Sequence, residues 1–175
     1  MTRVTVNRNE RGPAMPLWQI HHPENAWNES EKQEFVNAIT AIYTDIVGIP
    51  AFYVVVIFKE VESGDLWVSG RPHDKFVRLN IDQMARTLPG RVLREWWVHH
   101  LDEVIKPWVA DKGFDWEFTI TEPPADLWSL QGFVPPPFES VGEARWVKEN
   151  KASEYSQAEQ LPINVRLTAG TRESF

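Results

Sequence analysis

The groups in this 175-residue chain able to act on a substrate are five histidines, a few arginines, and a Met-Pro pair at residues 15 and 16. His21-His22 and His99-His100 are adjacent pairs. Neighbouring residues point to different faces of a strand or helix, so neither pair makes a two-ligand metal site, and no HExxH spacing occurs. Cysteine is absent, which excludes disulfides, thiolate nucleophiles and zinc-thiolate centres. The sequence contains no Gly-rich phosphate loop and no G-x-S-x-G. The expectation is chemistry without metal or cofactor. Arginines are the anion-binding candidates, because a guanidinium holds a carboxylate by paired hydrogen bonds. Arg71 and Arg78 are singled out, Arg78 because it interrupts an apolar strand pattern. Trp18, Trp116 and Trp128 are of a size to wall a pocket, and Tyr53 and Glu117 fall on or near central strands.

Such groups need a scaffold, and the composition describes one. Hydrophobic residues make up 42% and charged residues 25% of the chain, the balance of one soluble domain with a sizeable core. With 18 Lys+Arg against 25 Asp+Glu the net charge is −7, which argues against nucleic acid as a partner. The longest apolar run, Ile49 to Phe58, has the length of a strand and falls short of the roughly 18–20 residues of a membrane span. No h-region marks a secretory signal, so the expected location is the cytoplasm.

The patterning falls into two halves with the same order of elements. Met1 to Met15 reads as a flexible polar leader carrying Arg3, Arg8 and Arg11. Pro16 then opens a short strand that Pro23 stops. Asn28-Glu29-Ser30-Glu31 is a capping-box arrangement. Phe35, Val36, Ile39, Ile42, Tyr43, Ile46 and Val47 follow at helical spacing until Gly48. Phe52 to Phe58 is a continuous apolar run, expected as a strand covered on both faces. In the second half, Phe76 to Ile81 alternates as a strand. A helix is expected from about Val92 to Ala110, kinked or restarted at Pro107. Phe114 to Ile120 alternates again. A short helix with Trp146 is expected over 139–150, and a partly disordered tail over 151–175. The reading is an α/β (α+β) domain over 16–150. Two tandem β-α-β units, about 16–70 and 76–130, form a four-stranded mixed sheet with two helices.

The chain resembles the tautomerase superfamily, specifically the branch of cis-3-chloroacrylic acid dehalogenase and its fungal oxalocrotonate tautomerase-like relatives. The resemblance is carried by Met15-Pro16-Leu17-Trp18-Gln19-Ile20-His21-His22-Pro23, by Ile49 to Val56, by Lys106 to Phe118 and by Val134-Pro135-Pro136-Pro137. It covers about Pro16 to Asn150. It implies two tandem β-α-β units in one four-stranded sheet, a homotrimer, and a catalytic amino-terminal proline. The free secondary amine of such a proline acts as base, acid or nucleophile, because partial desolvation and nearby cations lower its pKa toward neutrality. Pro16 holds that position if the mature chain begins there. Inside a longer chain its nitrogen is an amide without usable basicity.

Carried over residue by residue, the dehalogenases' helix histidine falls on Tyr43, their first arginine on Gln83 and their second on Arg86. Their tyrosine falls near Phe118 and their glutamate on Leu130. Of these only Arg86 is kept, so water activation by an acid is not expected. What remains implies enol–keto chemistry on a small anion. Pro16 would be the proton shuttle, Arg86 the carboxylate anchor, and Tyr43 a donor to a developing enolate oxygen. Arg71, Arg78, Gln83, Trp18, Trp116 and Glu117 are the further substrate-binding candidates. Hydration or dehalogenation of an unsaturated acid is the alternative reaction. A non-catalytic trimeric binding protein is the alternative class if the leader is retained. A chain beginning at Pro16 loses three arginines and one glutamate, leaving 15 basic and 24 acidic residues and a net charge of −9. An anionic substrate would then need a local arginine.

Overall fold

Period-two alternation along Pro16–Pro23 sets Pro16, Trp18, Ile20 and His22 on the buried side of the first strand, and this decides where the helices lie. The computed structural model describes residues 15–84, 87–124 and 127–163. Strand β1 (Pro16–Pro23) leads to helix α1 (Glu29–Ala41) and strand β2 (Val55–Val61). A two-stranded hairpin, β3 (Trp67–Val68) with β4 (Arg71–Pro72), joins the halves. Strand β5 (Phe76–Gln83), helix α2 (Arg91–Ile105) and strand β6 (Asp115–Thr121) make the second unit, and helix α3 (Val141–Glu149) follows. The main sheet has the order β2-β1-β5-β6. β1 and β2 are parallel, β5 and β6 are parallel, and β1 meets β5 antiparallel at the centre. The expected pair of β-α-β units in one mixed four-stranded sheet is the observed fold, with α3 added.

Local chemistry accounts for the boundaries. The Asn28 side chain accepts from the Glu31 amide at 2.9 Å and the Glu31 carboxylate accepts from the Asn28 amide at 2.8 Å, the expected capping box. Helix α1 then loosens into one π-helical stretch, Ile42–Val47, which ends at Gly48 with φ 77°. A glycine adopts that left-handed conformation without the Cβ penalty. Pro107 cannot supply the N–H that α2 would need, and the α-helix stops at Ile105, passing into 3-10 turns at Lys106–Trp108 and Ala110–Lys112.

The core lies between the inner face of the sheet and the helices. Trp18, Ile20, Val77, Leu79 and Ile81 meet Phe35, Ile39, Leu101 and Ile105 there, all at 1% exposure or less. Trp27 joins the two units: its indole donates to the Trp108 carbonyl at 2.9 Å. Beside it, Phe35 stacks on Trp108 with ring centroids 4.9 Å apart.

One expectation is corrected. The run Phe52 to Phe58 is not a strand covered on both faces. Its start is a 3-10 turn, Ala51–Tyr53, and β2 is a sheet edge with Val55 38% and Ile57 40% exposed on the outer face. Among the described residues that face of β2 is left open, because α1 and α2 pack on the other. Beyond α3, the described residues 151–163 fold back against that helix. Arg145 of α3 donates to Glu159 at 2.8 Å, to the Glu154 carbonyl at 2.7 Å and to Ser153. The Trp146 indole donates to the Ser153 carbonyl at 3.0 Å. These contacts reel the chain back onto α3. The leader 1–14 and the segment 164–175 lie outside the described residues.

Candidate active site

The amino end of β1 collects most of the residues expected to matter. Pro16 is buried on the helix-covered face and stands opposite Gln83, the last residue of β5. Gln83 follows Val77, Leu79 and Ile81 on the inward face, so its amide is buried at 2% exposure and needs a partner. Trp97 of α2 supplies one, its indole donating to Gln83 Oε1 at 2.7 Å. The Trp97 ring sits edge-on to Tyr43, centroids 6.1 Å apart. Tyr43 in turn accepts from the Trp18 indole at 3.0 Å. The Tyr43 phenol is fully buried, and this desolvation pushes its pKa above the ordinary value, with the Trp18 hydrogen bond acting in the opposite direction. It stays a neutral hydroxyl. The π-helical stretch carries Tyr43, and such local widenings of a helix are frequent at functional sites.

Pro16, Trp18, Tyr43 and Gln83 are therefore brought together, with Trp97, not among the residues singled out from the sequence, as the link. The signal for Trp97 was indirect: an inward-facing Gln83 demands a buried donor. The Met15 carbonyl closes the site on the other side, accepting from the Met84 amide at 3.0 Å.

A second feature opens at the same end of the sheet. A cleft of about 670 Å³ separates α2 from β6 and is lined by Arg94, Val98, Asp102, Trp116, Phe118 and Glu122, among others. Glu122 directly follows the residue paired with Asp82, so it lies about two strand spacings, roughly 10 Å, across the sheet from Pro16. Its carboxylate accepts from the Leu88 amide at 2.7 Å and faces Arg94 at 3.9 Å. Arg94 also donates to the Leu88 carbonyl at 2.8 Å. Trp116 lines this cleft, its indole 3.4 Å from Asp102 Oδ1. Sequence reading did not single out Arg94, which sits in α2 without a motif to mark it.

Glu117 also lines this cleft, whereas the arginine candidates lie elsewhere. Arg78 points to the outer face of β5, where it pairs with Glu117 at 3.3 Å and donates to Thr119 at 3.0 Å. Arg71 is exposed on β4, in the hairpin beyond the opposite end of the sheet. Neither joins Pro16 within one chain. Arg86 lies outside the described residues. The outward position of Arg78 follows from β5 alternation, and its partner Glu117 from the parallel register Arg78↔Glu117.

The family model described as "Putative oxalocrotonate tautomerase enzyme" matches residues 15–151. The chain belongs to the tautomerase superfamily. Native RhCC from Rhodococcus jostii RHA1 is 41% identical with a TM-score of 0.77, the match covering 79% of this chain and 99% of that one. A point mutant of RhCC superposes with a TM-score of 0.79 at 40% identity, over 82% of this chain and 95% of that chain. A probable enzyme from the thermophilic fungus Aspergillus fumigatus is 37% identical, with a TM-score of 0.76 over 81% of this chain and 99% of that one. N1, a member of the cis-3-chloroacrylic acid dehalogenase family, shares the tautomerase fold at 17% identity and a TM-score of 0.60, over 77% of this chain and 97% of that one. No curated protein matches the sequence. The family match thus begins at the residue before Pro16.

Proposed function

We propose that this tautomerase-superfamily chain is an enzyme that uses the free amine of Pro16, as the first residue of the mature protein, to move a proton on a small enol or unsaturated carboxylic acid. The observation that carries this reading is the setting of Pro16. It is buried opposite Gln83, in a cluster whose named polar groups, the Trp18 and Trp97 indoles, the Tyr43 hydroxyl and the Gln83 amide, are all neutral. An amine exposed there is partly desolvated, which lowers its pKa toward neutrality and lets it both give and take a proton.

In ketonisation the ammonium form of Pro16 gives its proton to the enol carbon while the enol hydroxyl releases one, and the amine is recharged from that proton. Atoms and electrons balance without a cofactor. Charge develops on the enol oxygen, where the neutral Tyr43 hydroxyl is a donor. Arg86 is the proposed anchor for the substrate carboxylate.

Self-association is part of the same reading. Among the described residues both edge strands, β2 and β6, are unpaired on their outer sides, and Val55 and Ile57 are exposed. The same fold recurs in a fused 4-OT described as a symmetric trimer, at 18% identity and a TM-score of 0.52. We propose a homotrimer built on these faces. Among the described residues no helix is long and apolar enough to cross a membrane.

The test uses protein shown by intact mass to begin at Pro16, assayed for ketonisation of enol pyruvates beside Pro16→Ala. Loss of most activity in the variant supports the shuttle; equal rates remove Pro16 from the chemistry.

A further inference from the structure

Helix α2 begins almost uncovered. Arg91 to Trp96 are all exposed, and Trp97 is the first of its residues to be buried. Gly90 stands at the N-cap and has no side chain to hold the first turn. The start of the helix is secured earlier in the chain, at Leu88. The Leu88 side chain is sunk in the core at 7% exposure, and its peptide groups belong to no helix or strand. Buried backbone groups need partners, and side chains from two different elements supply them. Glu122, just past the end of β6, accepts from the Leu88 N–H at 2.7 Å. Arg94 of α2 donates through Nε to the Leu88 carbonyl at 2.8 Å. Its guanidinium also faces the other Glu122 oxygen at 3.9 Å. The end of β6, the connection from β5 and the first turns of α2 are thereby closed into one ring of contacts. A half-exposed ion pair of that length adds little energy; what the ring fixes is position.

The position matters because of what α2 carries. Trp97 lies three residues beyond Arg94, its indole donates to Gln83 Oε1 at 2.7 Å, and Gln83 stands opposite Pro16. We propose that Glu122 and Arg94 are positioning residues for the Pro16 site: by holding the Leu88 peptide between them they tie the start of α2 to the end of β6, and so set Trp97 against Gln83. The inference rests on the proline reading given above and deepens it with two residues that act through others. In this role Glu122 is an acceptor and not a second acid or base, since one of its oxygens is occupied by a backbone N–H and the other faces a guanidinium. A wall of the site displaced by about 1 Å costs on the order of 10² in rate.

The test separates the tie from the charge. In the full chain labelled with ¹⁵N-tryptophan, the indole signal of Trp97 is identified among the nine tryptophans by its loss in Trp97→Phe. Glu122→Ala should move that signal and speed its exchange with solvent. Glu122→Gln, whose amide oxygen still accepts from Leu88, should leave it in place. Arg94→Ala, which keeps Glu122 bonded to Leu88, should shift it less than Glu122→Ala does. The second arm uses protein beginning at Pro16, which keeps all of the family match except Met15. There Glu122→Ala should lower kcat/KM for enol ketonisation about 10²-fold, and Glu122→Gln should restore it. A Trp97 signal unmoved in Glu122→Ala overturns the proposal, as does a Glu122→Gln protein as impaired as Glu122→Ala. Should Glu122→Ala fail to fold, the Trp97 signal of Arg94→Ala decides, and no shift there overturns it. Failure of the proline reading has a different signature: Pro16→Ala keeps wild-type rates while the Trp97 signal still answers to Glu122→Ala.

Discussion

The hydrogen bond from the Trp18 indole to Tyr43 is the strut that fixes the inner wall of the site, and its removal should show an asymmetry. Both residues have 0% exposure and the bond is 3.0 Å long. Tyr43→Phe keeps the ring and its edge contact with Trp97 but leaves the Trp18 N–H in the core without an acceptor. Stranding a buried donor costs about 2 kcal/mol, within a usual range of about 1–3. For a domain of this size each kcal/mol is worth about 2–4 °C in Tm, so the variant should melt about 4–8 °C lower. Trp18→Phe removes the donor instead and loses indole packing, a cost on the order of 2 kcal/mol through the cavity left behind. In the double variant the stranded N–H no longer exists. Its destabilisation should therefore fall short of the sum of the singles by about 1–2 kcal/mol, the coupling expected of a contacting pair. Urea unfolding of the four proteins, with unchanged m-values, measures this directly. Strictly additive costs, or a Tyr43→Phe variant as stable as the parent, would refute the claim that the bond organises the site.

His22 is fully buried beside Trp27 and Phe58, its Nδ1 bonded to the Pro23 carbonyl at 2.9 Å. Burial, with Lys32 adding to it, lowers its pKa below the usual 6.5. The fold therefore favours neutral imidazole, and its contribution is full above pH 6.5 and lost as the pH falls through the lowered folded value. Urea unfolding between pH 8 and 5 should show that loss, and His22→Phe should flatten it; an equal slope in the variant would contradict the assignment. Gly48→Ala meets no atom within 4 Å, yet must hold φ 77°. It should cost about 1 kcal/mol in unfolding experiments, and Gly48→Asn less. Arg145→Ala should release residues 151–163 from α3, seen as faster amide exchange there while β1 and β5 keep their protection. For Arg86→Ala, the anchor role predicts a raised KM for carboxylate substrates with little change in kcat, and an unchanged KM would count against it.

How far the sequence could be read depended on whether the deciding partner lay nearby in the chain. The capping box at Asn28 and the stop at Gly48 were legible because each needs only a few residues. From its pattern Tyr43 was part of an apolar stripe, and only the family resemblance marked it as a site residue. Its donor, Trp18, is 25 positions away, and the π-helical widening that carries it has no compositional mark. The run at 52–58 misled for a physical reason. Apolar residues can lie on an outer face as well as fill a core, and among the described residues Val55 and Ile57 are left exposed. Arg78 was offered as a ligand because a charge interrupts its strand; the parallel register that hands it Glu117 emerges only from the sheet. Beyond α3, Arg145 gathers Ser153, Glu154 and Glu159 from positions that no local pattern links.

The central claim is that chemistry resides in the amine of Pro16 and is absent while Met15 remains attached to it. One comparison tests it most directly: kcat/KM for ketonisation of an enol pyruvate, measured for the full 175-residue chain and for protein proven by intact mass to begin at Pro16. The account predicts that the full chain does not exceed the uncatalysed rate and that the Pro16-initiated protein turns over. Equal activity in both forms would contradict it.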